Sequence, residues 1–167
     1  MMPPEPPVYL DEPRAPEESP TESESSFAEA LVGYNLRRAY AALLQHFNTY
    51  FSQFDIRPVQ FTLLGHLYSN PDASQSQVGK TLDIQRANLV TLLDELEQRG
   101  LLRREPSLDD KRSRVLNLTP EGKRLTEQLL EINEKSVHDI DQVIDKEDRM
   151  RLIELLQAVR QLRVTQR

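Results

Sequence analysis

Residues 89–122, LVTLLDELEQRGLLRREPSLDDKRSRVLNLTPEG, decide the fold. The stretch opens with leucines at helical spacing, namely Leu89, Leu92, Leu93 and Leu96. Arg99-Gly100 then gives a helix-stop signal, with a cation in the last turn and glycine just beyond it. The spacing therefore predicts a helix from Gln85 to Arg99 with one leucine face turned toward a core.

Two short strands and a new helix are predicted after Gly100. Leu101–Arg104 leads into a polar loop, Glu105–Lys111, and Ser113–Leu118 alternates as a half-buried strand does. Thr119-Pro120 has the N-cap and first-position residues of a helix start. A helix followed by a two-stranded ribbon with a basic tip is typical of a winged helix-turn-helix, in which the helix enters a DNA major groove.

The same stretch resembles the MarR (multiple antibiotic resistance regulator) family of transcription factors. The matching residues are Leu96, Gly100-Leu101, Arg104, Asp110-Lys111-Arg112-Ser113 and Leu118-Thr119-Pro120-Glu121-Gly122. The resemblance covers roughly residues 27–167 and is strongest over residues 74–122. It implies a mostly α fold with a small β-wing, forming a homodimer through its N- and C-terminal helices.

Charge and composition divide the chain into a tail and one domain. Residues 1–26 contain seven of the eleven prolines and seven acids against one arginine, which accounts for the whole net charge of −6. We expect this segment to be disordered, either as an inert tail or as an electrostatic competitor lying over the wing. Residues 27–167 are then a MarR-like domain, with a DNA-binding lobe at 55–122 and dimerisation helices at 27–54 and 123–167.

Several function classes are disfavoured by the composition. The chain has no cysteine, which excludes disulfides and a thiol redox switch. No apolar run is long enough to span a membrane, and we expect a cytoplasmic protein without a membrane partner. No Ser-His-Asp pattern, P-loop, GxGxxG or HExxH is present, and the histidines lack metal-ligand spacing. We therefore expect neither an enzyme nor a bound cofactor or metal.

The remaining helices are predicted from their apolar spacing and their stop signals. Residues 27–54 are apolar nearly all round, which favours a second chain as cover and hence a homodimer. An apolar C-terminal face gives the same indication, although a coiled-coil partner of another kind is the alternative. Ser74-x-x-Gln77 forms a capping box. The predicted helices are Phe27–Phe54, Val59–Leu67, Gln75–Leu82, Gln85–Arg99, Lys123–Ile144 and Arg149–Arg163.

Four polar side chains should read bases in the major groove. With the leucine face buried, the N-terminal turns of the recognition helix present Gln85, Arg86, Asn88 and Thr91. Arginine suits guanine, glutamine or asparagine suits adenine, and threonine suits a thymine methyl or a phosphate. The acids Asp94, Glu95 and Glu97 lie at the other end, where they would repel phosphates. Ordinary polar surface is the alternative interpretation.

Further DNA contacts are implied by the resemblance. Arg112 matches the wing-tip arginine that enters the minor groove, with Asp110 orienting it, although the two residues could instead form a purely structural turn pair. Lys111, Arg104 and Ser74 would contact phosphates, and Ser74 lies at a helix N-terminus, which suits an anion. The expected partner is double-stranded DNA with a pseudo-palindromic operator.

The resemblance also implies a repressor released by a small anionic aromatic effector, either an aromatic acid or its coenzyme-A thioester. An arginine could bind the carboxylate in bidentate fashion while aromatic side chains stack on the ring. The alternative is that these arginines are solvated and the aromatics are core. An architectural DNA binder, or an activator of the same fold, is the alternative function. The candidate pocket residues are Tyr34, Arg37, Arg38, Tyr40, His46, Phe61 and His66.

Overall fold

The computed structural model describes residues 27–106 and 114–162. The chain divides into two compact units, Met1–His46 and Phe47–Arg167. The helices are α1 (Val32–Phe51), α2 (Pro58–Ser69), α3 (Gln75–Thr81), α4 (Arg86–Gln98), α5 (Pro120–Asp141) and α6 (Lys146–Val159). The strands are β1 (Ala73–Ser74), β2 (Leu102–Pro106) and β3 (Arg114–Leu118), and a 3₁₀ turn spans Ser52–Phe54. The described part is thus mostly α with a small sheet, as predicted.

The sheet has three antiparallel strands rather than the predicted two-stranded ribbon. Its order is β1-β3-β2, with Leu102 opposite Leu118 and Pro106 opposite Arg114. The added strand, β1, places Ala73 opposite Leu116 and leads directly into α3. The wing is therefore joined at its base to the helix-turn-helix.

The core of the second unit is built from leucines on facing elements. Leu89, Leu92, Leu93 and Leu96 of α4 are buried, as their spacing predicted. They pack in one cluster with Leu63 and Leu64 of α2, Leu102 and Leu116 of the sheet and Leu129 of α5. The leucine face fixes which side of α4 is left for solvent.

The helix caps predicted from the sequence are confirmed. Ser74 Oγ accepts a hydrogen bond from Gln77 N at 3.2 Å, and Gln77 Oε1 accepts one from Ser74 N at 2.8 Å. Thr119 Oγ1 accepts from Gly122 N at 3.0 Å, which starts α5 at Pro120. Gly100 follows α4 with φ of +69°, the left-handed conformation that ends helices.

Both ends of the first and of the last two predicted helices were wrong, including Lys123, where the helix begins at Pro120, and Arg163, where it ends at Val159. The first helix was predicted over Phe27–Phe54, but α1 runs from Val32 to Phe51 and a 3₁₀ turn follows it. The last helix was predicted from Arg149, but α6 begins at Lys146 because Asp145 Oδ1 accepts from Asp148 N at 2.8 Å. Helix α5 correspondingly ends at Asp141 rather than at Ile144.

Gly79, inside α3, is explained by the tight contact between the two helices of the motif. A Cβ there would lie 3.2 Å from Leu89 Cδ2 and 3.4 Å from the carbonyl oxygen of Ile84. A helical glycine costs about 1 kcal/mol relative to alanine, and close approach of α4 to α3 is the packing reason for accepting that cost.

Candidate nucleic-acid interface

The N-terminal turns of α4 are exposed at every position predicted to read bases. Gln85 is the N-cap residue, and its side chain forms no capping hydrogen bond. Arg86, Asn88 and Thr91 are exposed on the following two turns. Thr91 Oγ1 donates to the carbonyl oxygen of Ala87 at 3.3 Å, so its hydroxyl proton is directed back onto the helix. Base contacts by these four residues stay a prediction.

Two residues on the same turns were not singled out from the sequence. Ala87 is exposed, and Val90 is 39 % exposed although it is a β-branched hydrophobic residue in the middle of a helix. Residues at i, i+3 and i+4 share a helix face, so Ala87, Val90 and Thr91 lie together. The spacing of the leucines, which are buried at positions 89 and 93, could have identified this outer face.

The acids at the C-terminal end of α4 all have basic or amide partners. Arg104, on β2, donates to Asp94 Oδ1 at 2.6 Å and to Glu97 Oε2 at 2.8 Å. Its backbone N also donates to Glu97 Oε1, at 3.1 Å. Glu95 pairs with Arg57 and accepts a hydrogen bond from Gln60 Nε2 at 2.9 Å. These contacts partly neutralise the carboxylates of α4 by pairing them with side chains of α2 and β2 or of the segment just before α2.

Arg104 therefore has a set of partners that the sequence did not predict. Its side chain is only 19 % exposed, and it joins the first wing strand to the recognition helix. Its Nε is buried and finds no acceptor among residues 27–106 and 114–162. The phosphate contact predicted for Arg104 stays a prediction, but the guanidinium is already engaged by two carboxylates.

A groove of about 750 Å³ lies beside the start of α4. It is lined by Ser74, Gln75, Ser76, Gly79, Lys80, Ile84, Arg86, Leu89 and Arg114. Among the described residues, this lining contains three cations, from α3, α4 and β3, and no carboxylate. Within the described ranges none of these three cations forms an ion pair. Lys80 and Arg114 were not predicted as contacts.

Ser74 lies at the edge of this groove, at the N-cap of α3. Its hydroxyl accepts from Gln77 N and donates to Gln77 Oε1 at 2.7 Å. The capping box thus engages the hydroxyl both as acceptor and as donor. The predicted phosphate contact of Ser74 is untested.

The base of the wing is held by Asn117 on β3. Asn117 Nδ2 donates to Asp72 Oδ1 at 2.8 Å and to Glu105 Oε2 at 2.9 Å, while Asp72 N donates to Asn117 Oδ1 at 3.1 Å. Asp72 has φ of +61°, and this tie fixes it in that turn. The three wing-tip predictions, Asp110, Lys111 and Arg112, lie outside the described residues.

The candidate ligand-pocket residues are found in both units. In the first, the Arg37 guanidinium lies 5.6 Å from the centre of the Tyr34 ring, and Arg38 and Tyr40 are exposed. His46, also in the first unit, is half-buried.

The two candidates in the second unit belong to α2. The Phe61 ring centre lies 5.1 Å from that of Phe51 and 6.2 Å from that of Phe47. Half-buried His66 has Asn70 Nδ2 at 3.5 Å from its Nδ1. Phe61 thus belongs to an aromatic cluster, as the alternative interpretation of the aromatics expected. A shared pocket is still a prediction.

Two tyrosines bind carboxylates on α5. Tyr50 donates to Asp139, and Tyr68 Oη donates to Glu127 Oε1 at 3.0 Å. The hydrogen bond to Asp139 is the main reason why the pKa of Tyr50 is raised, with smaller contributions from desolvation and from the negative charge of Asp139. For Tyr68 the hydrogen bond to Glu127 raises the pKa most, followed by the carboxylate charge and by desolvation.

The described ranges contain neither a metal-binding cluster nor a membrane-spanning helix. No group of three or more His, Asp and Glu side chains there is arranged to hold a metal ion. None of the helices there combines the length and the apolar character that crossing a bilayer requires.

Comparison with known proteins shows similarity to transcriptional regulators. A sequence model described as MarR family matches residues 54–113, which include the helix-turn-helix and part of the wing. A putative transcriptional regulatory protein for the hcr operon of Thauera aromatica is 28 % identical over 129 residues, covering 77 % of this chain and 78 % of that protein. The regulator MhqR of Bacillus subtilis (strain 168) is 26 % identical over 124 residues, covering 74 % and 86 %.

The fold is shared with solved structures along nearly the whole chain. The transcriptional repressor CouR, solved bound to a 23-mer DNA duplex, superposes with a TM-score of 0.76 at 29 % identity. The match covers 87 % of this chain and 100 % of CouR. A winged helix-turn-helix fold is thereby established by sequence and by structure.

Proposed function

We propose that this chain is a DNA-binding transcriptional regulator of the MarR family, and specifically a homodimeric repressor released by a small anionic aromatic ligand. The main observation in favour of DNA binding is the separation of positive and negative charge along α4. Cations that form no ion pair with any described residue line the groove at the start of the helix, while Arg57 and Arg104 neutralise the acids at its end. Such a cluster attracts a polyanion even though residues 27–167 have no net charge.

The proposed DNA contacts follow from this separation. Gln85, Arg86, Asn88 and Thr91 would contact base edges, because they are exposed where α4 begins, at the other end of the helix from Asp94, Glu95 and Glu97. Lys80 and Arg114, on the adjoining α3 and β3, would contact the flanking phosphates together with Ser74. The wing tip, with Asp110, Lys111 and Arg112, would reach the minor groove.

We propose a homodimer through the N- and C-terminal helices because both expose large apolar side chains. In the first unit Phe27, Val32 and Tyr40 are more than half exposed. The C-terminal segment likewise exposes Val143, Met150, Leu152, Ile153, Leu155, Val159 and Leu162. Apolar surface of this extent usually marks an interface, and a two-fold dimer is the commonest arrangement. Two recognition helices would then read half-sites about one helical turn apart.

Two further observations support the proposed repressor role and the proposed release of DNA by a ligand. CouR, at 29 % identity over nearly the whole chain, is described as a transcriptional repressor. The Arg37–Tyr34 pair offers a guanidinium next to an aromatic ring, the combination that an aromatic carboxylate would require. Arg38, Tyr40, His46, Phe61 and His66 are the other pocket candidates. The coenzyme-A thioester of such an acid is an equally suitable effector.

The test is binding of the purified chain to DNA from the region upstream of its own gene. Fluorescence anisotropy is measured with and without a panel of aromatic acids and their coenzyme-A thioesters. We expect specific binding that one compound abolishes in the wild type but not in an Arg37→Ala variant that still binds DNA. Specific binding that no compound of the panel alters would contradict the proposed effector class and favour an architectural role.

A further inference from the structure

The solvent-exposed face of α4 carries apolar groups between the polar residues that are proposed to contact bases. Ala87 is exposed, Val90 is 39 % exposed, and Thr91 follows one position later on the same face. Because the Thr91 hydroxyl proton is donated to the Ala87 carbonyl oxygen, its methyl group is the part most available to a partner. One methyl, one isopropyl and a second methyl group thus lie side by side on the solvent side of the helix.

This face needs a partner that is compatible with its surroundings. A single exposed valine would call for no explanation, since isolated apolar side chains are common on protein surfaces. Here the apolar face adjoins Arg86, and the described residues that line the groove beside it include three cations and no carboxylate. An apolar protein partner would have to bury those cations, whereas DNA would neutralise them. The partner is therefore expected to be anionic overall yet apolar at this point.

The major groove of DNA has one apolar feature of this kind, the C5-methyl group of thymine. We propose that Ala87, Val90 and the Thr91 methyl group form a thymine-reading face, and that the operator carries thymines where this face meets it. This inference rests on the proposed entry of α4 into the major groove. It adds an apolar basis for specificity to the hydrogen bonds expected from Arg86 and Asn88.

The test replaces thymine by deoxyuridine, which lacks only the C5-methyl group and retains the base-pairing edge. Operator duplexes are made with deoxyuridine at one position at a time, and the Kd of the full chain is measured at fixed salt. At the contacted positions we expect binding to weaken about four-fold for each methyl group lost, corresponding to about 0.8 kcal/mol per buried carbon. Other positions should show no change.

Variants link the effect to this face. In Val90→Ala the penalty for deoxyuridine should shrink toward none, because the partner of the methyl group has gone. Val59→Ala removes the same atoms from a valine that is 37 % exposed on α2, and it should retain the full penalty. Fluorescence and thermal unfolding of Val90→Ala would verify that the variant is folded.

The outcomes distinguish this inference from the function on which it rests. Specific binding to the thymine operator with an unchanged Kd for every deoxyuridine duplex would overturn the thymine-reading face and leave the proposed regulator intact. A penalty that Val90→Ala retains in full would also overturn it. Failure to bind any operator sequence would overturn the proposed function and, with it, this inference.

Discussion

The carbonyl oxygen of Leu101 occupies the space that a side chain at position 122 would need, because a Cβ on Gly122 would lie only 1.8 Å from it. The same oxygen accepts a hydrogen bond from Thr119 N at 3.0 Å. Thr119 Oγ1 in turn donates to the Gly100 carbonyl oxygen at 2.6 Å. The first turn of α5 is thus fixed against the end of α4 and the start of the wing.

Replacing Gly122 by alanine should destabilise the domain strongly. The Cβ would collide with backbone rather than with a flexible side chain, so we expect a loss of about 3 kcal/mol in the free energy of unfolding. Chemical denaturation measures the change. The control is Gly65→Ala in α2, where a Cβ meets nothing within 4 Å. Alanine there should stabilise the helix by up to about 1 kcal/mol, and equal effects of the two substitutions would contradict this account.

Arg104→Ala should affect stability more than it affects the salt dependence of DNA binding. The substitution leaves Asp94 and Glu97 unpaired, and we expect a loss of about 1 kcal/mol because both partners are partly exposed. Loss of one phosphate contact would lower the slope of log K against log salt by about 0.9. We expect that slope to stay unchanged. A reduced slope with unchanged stability would instead support the phosphate contact predicted from the sequence.

Arg86→Ala and Lys80→Ala should show the opposite pattern. Neither cation forms an ion pair in the described part of the chain, so the free energy of unfolding should change little. Operator affinity should fall in both variants, and the salt slope should fall in Lys80→Ala, which removes a proposed phosphate contact. Each lost phosphate contact is worth about 0.9 in that slope. Arg124→Ala is the matched control, since this exposed arginine pairs with Glu121. Unchanged operator affinity in both variants, with an unchanged slope in Lys80→Ala, would exclude the groove from the DNA interface.

The two tyrosine–carboxylate hydrogen bonds predict a loss of stability at high pH. Because the pKa of each tyrosine is raised in the folded state, the folded chain retains protons that the unfolded chain releases above pH 10. The contribution of these hydrogen bonds to the free energy of unfolding is complete below pH 10 and is lost as the pH rises through the folded-state pKa of each tyrosine. The free energy of unfolding, measured with urea, should therefore fall less steeply above pH 10 for the double variant Tyr50→Phe/Tyr68→Phe than for the wild type. Parallel curves would refute the role of these bonds.

The sequence predicted the parts of this fold that depend on neighbouring residues. The leucine face of α4, the capping box at Ser74 and the N-cap at Thr119 are local patterns, and the structure has all three. Strand β1 was missed because two residues, Ala73-Ser74, are too short to show a period. They become a strand only because β3 lies beside them.

The site was predictable to a similar extent. The exposed polar positions of α4 follow from its buried leucines. The partners of Arg104 do not, because Asp94 and Glu97 belong to a different element and meet it only after β2 folds back along α4. The grouping of Lys80, Arg86 and Arg114 has the same origin, since three separate elements contribute one cation each.

The most direct test of the central claim is an unbiased selection of double-stranded DNA sequences by the purified full-length chain, repeated with Arg86→Ala. For the wild type we expect enrichment of a pseudo-palindrome with half-sites about one helical turn apart. For the variant we expect the base preference at one position of each half-site to be weakened or lost. Failure of the wild type to enrich any sequence would contradict the claim that this chain reads DNA through α4.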